Sequence, residues 1–139
     1  EARQMLQATA LDFNINVVPG QTQITNGFCK VLDAATGFML MRRDAVEALV
    51  KAHPELEVEN DILSSRADTP TYTHIWECAF DYLDAEKTKR RLLSEDYAVS
   101  RKLQKLGYDV WMDVASPVAH IGGQMAIGDI RKRMKVAFE

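Results

Sequence analysis

Short apolar segments separated by turn-forming residues are the feature that most limits how this chain can fold. Turn signals and helix-ending residues recur along it: Pro19-Gly20, Asn26-Gly27, His53-Pro54, Gly107 and Pro117. No run between these breaks approaches the ~20 consecutive apolar residues that a membrane-spanning helix needs. The pattern therefore predicts short strands and short helices, and no transmembrane segment.

Length and composition narrow the class of protein. The 139 residues suit one domain, and we expect residues 1–139 to form it. Hydrophobic residues make up 47% of the chain and charged residues 27%, which are ordinary values for a globular protein and exclude general disorder. The formal net charge of −3 gives no overall attraction to nucleic acid or to anionic membranes. Cys29 and Cys78 are far apart, which favours buried free thiols in a reducing cytoplasm over the alternative of one disulfide.

Two amphipathic segments carry helix signals. Asp44 followed by Glu47 is a capping-box pattern, and the helix it opens must end near His53-Pro54. Ser94 is a good N-cap for a second helix, which Gly107 ends. A further short helix is predicted over residues 1–11, and the tail from residue 129 is helical or frayed.

The remaining apolar segments have strand patterns. Residues 55–73 are expected to form a long surface loop, and residues 74–83 either a strand or a short helix. Because strands and helices intermingle without strict β-α-β alternation, we predict an α/β fold with a mixed sheet flanked by helices. The predicted strands are residues 13–18, 28–32, 37–41 (buried on both faces), 108–114 and the extended piece 118–121.

Glu95 and Asp96 are the first candidates for chemistry. With Ser94 as N-cap, both carboxylates fall in the first turn of a helix, where the helix dipole favours their ionised form. Asp96 would then suit a general base. The alternative is structural, because an acidic first turn stabilises a helix by ~0.3–1 kcal/mol without any further role.

Two glycine-containing segments are weaker candidates. His120 is followed by Gly122-Gly123, where backbone can approach a ligand closely, although a hydrogen-bonded core histidine is the simpler interpretation. One histidine alone cannot make a metal site. Thr36-Gly37-Phe38 would leave an uncrowded wall for a ligand, or merely form a turn.

Aromatic and basic residues form two further groups. Trp76, Phe80, Tyr82 and Trp111 would make a sugar-stacking platform, although such aromatics more often belong to a core. The basic cluster Lys87, Lys89, Arg90 and Arg91 would bind phosphate or form a solvated face.

Taken in order, these motifs resemble one enzyme superfamily. The runs ATGFMLMRRDAVEAL (residues 35–49) and LLSEDYAVSRKLQKLGYDVWMDVASPVAHIGG (residues 92–123) resemble the C-terminal half of GT-A-fold glycosyltransferases, family-2-like members in particular. The resemblance covers roughly residues 33–123. It implies a transferase that moves a sugar from a nucleotide sugar to an acceptor hydroxyl, with inversion and with a divalent metal.

The resemblance implies roles for particular residues. Thr36, Gly37 and Phe38 would line the donor-sugar pocket. Asp96 would be the catalytic base, and Glu95 would orient hydroxyls. His120 would help to hold Mn²⁺ or Mg²⁺, and the aromatic residues Trp76, Tyr82 and Trp111 would bind the acceptor.

One departure from the family is important. The D-x-D motif that holds Mn²⁺ or Mg²⁺ against the diphosphate occurs nowhere in this sequence, and the nucleotide-binding half that normally precedes these motifs is missing. We therefore expect a C-terminal lobe of a longer enzyme, inactive alone and able to dimerise through an exposed sheet edge. It would be cytoplasmic, with peripheral attachment to a membrane as an alternative. The alternative function is a non-catalytic carbohydrate- or protein-binding module on a degenerate GT-A scaffold, and neither function involves nucleic acid.

Overall fold

The computed structural model describes residues 14–17, 20, 23–61, 69–116, 118–121 and 125–128. The chain divides into two compact units, which we call the sheet unit (residues 1–34 and 110–139) and the helical unit (residues 35–109). The helix predicted over residues 1–11 and the tail from residue 129 lie outside the described residues.

The described elements are short, as the spacing of turn signals predicts. The α-helices within the described residues are α1 (Arg43–Ala52) and α2 (Glu95–Lys105), with a 3-10 helix at Pro54–Leu56. The strands are β1 (Ile15–Val17), β2 (Ile24–Thr25), β3 (Phe28–Ala34), β4 (Glu57–Glu59), β5 (Thr71–Thr73), β6 (Ala79–Tyr82), β7 (Arg90–Leu93), β8 (Val110–Asp113), β9 (Val118–Ile121) and β10 (Met125–Gly128).

The sheet unit is organised around β3, which pairs with β1, β2 and β8. Alternate residues of β3 face the core, so that Cys29, Val31 and Asp33 are at most 1% exposed. Val110 and Val114 are buried and Met112 packs against the cluster of Cys29 and Val114, which confirms the predicted alternation of residues 108–114. The buried Asp33 carboxylate accepts a hydrogen bond of 2.9 Å from the Asn16 side-chain amide.

The turn between β2 and β3 needs its Asn-Gly sequence. Asn26 and Gly27 have φ of 51° and 80°, the left-handed values of a tight hairpin turn. A Cβ on Gly27 would stand 3.0 Å from the Cβ of Ala115, and the Gly27 carbonyl accepts a bond of 2.9 Å from the Val114 N–H. The turn thus joins the hairpin to the end of β8. Glycine suits this position because its φ is positive and the space beside it is filled by Ala115.

In the helical unit, α1 and α2 share one core made of Ala45, Leu49, Val99 and Leu103. Burial of such side chains stabilises the unit by ~1.5–3 kcal/mol for each leucine or valine. Gly107, with φ of 87°, ends α2 as predicted. Its N–H donates to the Gln104 carbonyl at 2.9 Å, and the Tyr108 N–H donates to the Leu103 carbonyl at 3.1 Å, the paired bonds of a Schellman motif.

The prediction of a buried strand over residues 37–41 is wrong. The segment pairs with no strand among the described residues, and Phe38 and Leu40 are 83% and 86% exposed. Met39 and Met41 instead pack against the core of the helical unit. Met39 and Met41 are anchored on the helices, and Phe38 and Leu40, which alternate with them, face solvent because no other described part of this unit covers them.

The predicted capping box of α1 is also wrong. Arg42, not Asp44, is the N-cap residue, and its side chain makes no capping bond. The Arg42 guanidinium pairs with the Asp44 carboxylate through bonds of 3.0 and 2.9 Å. Asp44 therefore lies in the first turn, while the helix ends at Ala52, just before His53-Pro54, as predicted.

The region predicted as a long loop contains more structure than expected. Leu56 in the 3-10 helix is buried, and β4 and β5 pair as antiparallel strands beyond it. Residues 62–68 lie outside the described residues. Of the two alternatives for residues 74–83, the strand is confirmed for β6, which pairs with β7.

The chain is therefore built from both helices and strands, as predicted. The predicted mixed sheet is replaced by small sheets, and every strand pairing within the described residues is antiparallel. Within the same residues, no helix is long and apolar enough to cross a membrane.

Candidate functional site

Two of the sequence motifs meet in the helical unit. The Thr36 hydroxyl donates a hydrogen bond to the Oδ1 of Asp96, across 60 residues of sequence. Thr36 begins the Thr36-Gly37-Phe38 segment, and Asp96 lies in the first turn of α2. The contact places the glycine segment directly against the acidic helix start.

Local packing holds this helix start in place. Leu93 at the end of β7 and Ala98 in α2 are buried on either side of Ser94, at 4% and 1% exposure. Ser94 is the N-cap residue as predicted, with extended backbone, although its hydroxyl makes no capping bond. Because the flanking residues are buried, the core sets the entry angle of the helix that carries Asp96 in its first turn.

The backbone of Asp96 is fixed as well. Its carbonyl accepts a bond of 2.9 Å from the hydroxyl of Ser100, a residue with no solvent exposure. The half-buried carboxylate forms no ion pair among the described residues, and its Oδ2 has no hydrogen-bond partner there. Asp96 is thus oriented by one neutral hydroxyl while one oxygen is left to accept a proton.

Glu95 and Cys78 form a second contact at the same helix start. Glu95 is exposed, and its Oε2 is 3.9 Å from the Cys78 thiol, which is also exposed. Both cysteines are free, so the disulfide alternative is excluded. The prediction of two buried thiols is confirmed only for Cys29, whose pKa is raised by burial.

An ion pair that the sequence did not indicate ties the segment before β6 to α2. The Lys102 ammonium lies 2.7 Å from the Glu77 carboxylate, and the lysine side chain is only 12% exposed. Lys102 lies six residues, about 1.7 turns, beyond Asp96 in α2, and Glu77 directly precedes Cys78. The pair spans 25 residues, so no helical or strand spacing could reveal it.

Gly37 and Phe38 stand in open surroundings. A Cβ on Gly37 would meet no atom within 4 Å, and the residue has no left-handed backbone that requires glycine. Phe38 is 83% exposed. Of the three residues assigned to a donor-sugar pocket, Thr36 is therefore the one that contacts another predicted site residue.

The candidate acceptor-binding aromatics are exposed. Trp76 and Tyr82 in the helical unit are 36% and 41% exposed, and Trp111 in the sheet unit is 50% exposed. Phe80, at 62%, lies under the Arg90 guanidinium, 3.6 Å from the ring centroid. The interpretation of these aromatics as core residues is wrong, since each presents a large part of its side chain to solvent.

The basic cluster is divided between two faces of the β6–β7 hairpin. Arg91 is half-buried and lies 3.3 Å from the Asp81 carboxylate. The backbone N–H of Tyr82 and then this guanidinium lower the pKa of Asp81, against an opposing effect of burial. Arg90 covers Phe80, and the Lys87 ammonium is 6.0 Å from the Tyr82 ring. These side chains therefore do not converge on one anion.

His120 lies in β9, opposite Ala126 of β10. Its side chain lies outside what the structure describes, so its assignment as a metal ligand stays a prediction. Elsewhere in the described ranges, no group of three His, Cys, Asp or Glu side chains could hold a metal ion.

In comparisons with known proteins, no protein-family model, no curated protein and no solved structure matches the chain.

Proposed function

We propose that this chain is the acceptor-side, catalytic-base lobe of a glycosyltransferase that uses a nucleotide sugar. One observation supports it above the others: the hydrogen bond from Thr36 to Asp96. It joins the two motifs that the resemblance assigns to the donor-sugar pocket and to the catalytic base.

In the proposed reaction, Asp96 accepts the proton of the acceptor hydroxyl through Oδ2 as that oxygen attacks the anomeric carbon. The bond from the anomeric carbon to the diphosphate breaks, its electron pair leaves with the diphosphate, and the configuration inverts. Thr36 holds the other carboxylate oxygen, which restricts rotation of the base. Glu95, exposed beside it, orients hydroxyls of either substrate.

The metal belongs to another part of the proposed enzyme. The described residues do not provide a ligand set for Mn²⁺ or Mg²⁺, and the sequence has no D-x-D. We therefore assign the ion to an upstream half carrying D-x-D, with His120 as a further ligand. The exposed Phe38 and Leu40 would contact that half or a second copy of the chain.

The test compares glycosyl transfer by the protein extended with its upstream segment, before and after Asp96→Asn. The amide cannot accept the proton, so kcat should fall by ~10²–10⁴ while donor binding stays nearly intact. Glu59→Gln, an exposed carboxylate in β4, is the matched control and should leave kcat unchanged. Equal rates for Asp96→Asn and wild type would remove Asp96 as the base.

The alternative, a carbohydrate- or protein-binding module, makes a different prediction. It is favoured by the exposed aromatics Trp76, Tyr82 and Trp111, which suit binding without catalysis. A module would bind glycans or a protein partner equally well with Asp96→Asn, and no donor would be consumed by the extended protein.

A further inference from the structure

One side of the β6–β7 hairpin presents apolar side chains and a cation to solvent. Cross-strand pairing places Phe80 opposite Leu92 and Tyr82 opposite Arg90, so these four residues share one face of the two strands. Phe80 and Leu92 are 62% and 63% exposed, Tyr82 is 41% exposed, and Arg90 is exposed as well. We call these four residues the hairpin face.

The hairpin is held in the fold from its other side. Leu93 is 4% exposed, and the half-buried Arg91 guanidinium lies 3.3 Å from the Asp81 carboxylate. Phe80 and Leu92, which alternate with these residues, are therefore not needed for the core of the helical unit. Contiguous apolar side chains left exposed beside charged ones are typical of a surface that contacts a partner.

The charges of the hairpin favour an anionic partner. Residues 79–93 carry four cations and three carboxylates. One carboxylate is paired with Arg91 on the other side, and Asp84 is held by bonds from its own turn, which leaves Glu86 exposed in that turn. Within the described ranges, neither Lys87 nor Arg90 forms an ion pair with a carboxylate.

Both of these cations lie over aromatic rings. The Arg90 guanidinium is 3.6 Å from the centroid of the Phe80 ring, and the Lys87 ammonium is 6.0 Å from that of Tyr82. A ring face covered by a cation is not available to stack on a nucleobase or a pyranose, which disfavours both as ligands. Because the cations do not converge on one point, they suit a surface that carries many separate anions.

A second copy of the chain fits this face less well. Symmetric packing of two hairpin faces would bring Arg90 and Lys87 of both copies to one contact. The exposed apolar side chains of the hairpin, Leu83 included, present on the order of 400 Å². Each partner in a stable protein interface contributes about 800 Å². A lipid surface sets no such minimum, because each apolar side chain that enters it adds to binding.

We propose that the hairpin face docks on a membrane surface that contains anionic lipids. Phe80 and Leu92 enter the boundary of the acyl chains, while Arg90 and Lys87 pair with lipid headgroups. Tyr82, with an apolar ring and a polar hydroxyl, suits the level between them. Docking needs neither the catalytic role of Asp96 nor a nucleotide sugar, so either proposal can fail while the other stands.

The test is flotation of the chain with lipid vesicles. Vesicles of phosphatidylcholine alone are compared with vesicles in which about a third of the lipid is phosphatidylserine. We expect binding to the anionic vesicles to be about tenfold tighter or more, because the cations of the hairpin are attracted to the charged surface. Raising the salt concentration should weaken this binding, since salt screens exposed charges.

The apolar contact is tested by combining Phe80→Ser with Leu92→Ser. This change should weaken binding to anionic vesicles tenfold or more, because the two side chains no longer leave water. Val58→Ser, at an exposed position of β4 between two glutamates, is the matched control and should leave binding unchanged. Should the double variant fail to fold, Leu92→Ser alone should still weaken binding about threefold or more.

The charged contact is tested with Arg90→Gln and Lys87→Gln. Each should weaken binding to anionic vesicles about fivefold and leave binding to neutral vesicles unchanged. Lys51→Gln, which removes an exposed lysine of α1, is the matched control and should change binding less than about twofold.

Three results would overturn the proposal. They are equal binding to neutral and anionic vesicles, full binding after Phe80→Ser with Leu92→Ser, and no flotation with either vesicle. If the chain does not float and the double variant abolishes a dimer in sedimentation, the face joins two copies instead. If the double variant abolishes binding of a single-stranded oligonucleotide without any flotation of the wild type, the face binds nucleic acid and not a membrane.

Discussion

The two helices begin with similar sequences but place their acidic residues in different surroundings. In α1, Asp44 pairs with Arg42, two residues away, on an exposed surface. The Tyr108 hydroxyl, 64 residues away, also donates to Asp44, to its carbonyl at 3.2 Å and to its carboxylate at 3.5 Å. In α2, Asp96 accepts a bond from Thr36, 60 residues away, and is half-buried. The first carboxylate has a cation beside it, whereas the second is held by a neutral hydroxyl and forms no ion pair among the described residues.

The surroundings of an acidic residue in a first helical turn indicate whether it does more than stabilise the helix. A carboxylate that pairs locally with arginine contributes to the helix and little else, since exposed pairs are worth ~0–1 kcal/mol. A carboxylate positioned by a distant segment depends on the tertiary fold. Both carboxylates accept a bond from a distant hydroxyl, so the contrast lies in the Arg42 cation beside Asp44. Asp96 has no such cation partner among the described residues, and this is why we propose a function for Asp96 and not for Asp44.

The first prediction compares the stability supplied by these two contacts. Thr36→Val keeps the shape of the side chain but leaves the half-buried Asp96 carboxylate without its donor, so the free energy of unfolding should fall by about 1–2 kcal/mol. Arg42→Met should cost less than about 0.5 kcal/mol. Urea unfolding of both variants measures this, and equal losses would erase the distinction between the two helix starts.

A smaller effect is expected at the other end of α2. Gly107 has φ of 87°, and a Cβ there meets no atom within 4 Å, so Gly107→Ala should cost about 1 kcal/mol of backbone strain alone. Thermal unfolding should show a lower Tm. Gly37→Ala is the control, since Gly37 has equally open surroundings and no left-handed backbone, and its Tm should not fall.

The smallest effect concerns the turn of the hairpin that leads into α2. Asp84 accepts hydrogen bonds from the Thr88 hydroxyl and from the backbone N–H groups of Lys89 and Thr88. These bonds lower the pKa of Asp84, and the bond from the hydroxyl has the largest effect. A carboxylate whose pKa is lower in the folded protein stabilises the fold at pH values above its unfolded-state pKa of ~3.9. This stabilisation is lost as the pH falls through the folded-state pKa.

Asp84→Asn should therefore flatten the loss of stability below about pH 4, while Asp61→Asn, an exposed carboxylate after β4, should leave that loss unchanged. Unfolding measured between neutral and acidic pH tests this. An unchanged acid profile in Asp84→Asn would show that the turn bonds do not favour the ionised carboxylate.

Local signals predicted the parts of the fold that depend on neighbouring residues. Ser94 before an amphipathic run, ended by Gly107, was enough to place α2, and alternation was enough to place β8. Residues 37–41 were mispredicted because an apolar run does not reveal whether a strand partner exists. The packing of Met39 and Met41 on the helices decides that question.

The site was predicted only in part, for the same reason. The position of Glu95 and Asp96 in a first helical turn follows from sequence, and it is confirmed. The bond from Thr36 to Asp96 and the pair of Lys102 with Glu77 depend on how distant segments pack, which no spacing encodes. The resemblance to glycosyltransferases grouped Thr36 with Asp96 but did not predict their contact.

The most direct test of the account is the turnover of Thr36 variants in the protein extended with its upstream segment. Thr36→Val should lower kcat about tenfold or more with little change in the donor KM, because it frees a base that must be positioned. Thr36→Ser, which keeps the hydroxyl, should restore turnover to within about threefold of wild type. Wild-type kcat in a folded Thr36→Val protein would contradict the claim that this bond positions the catalytic base.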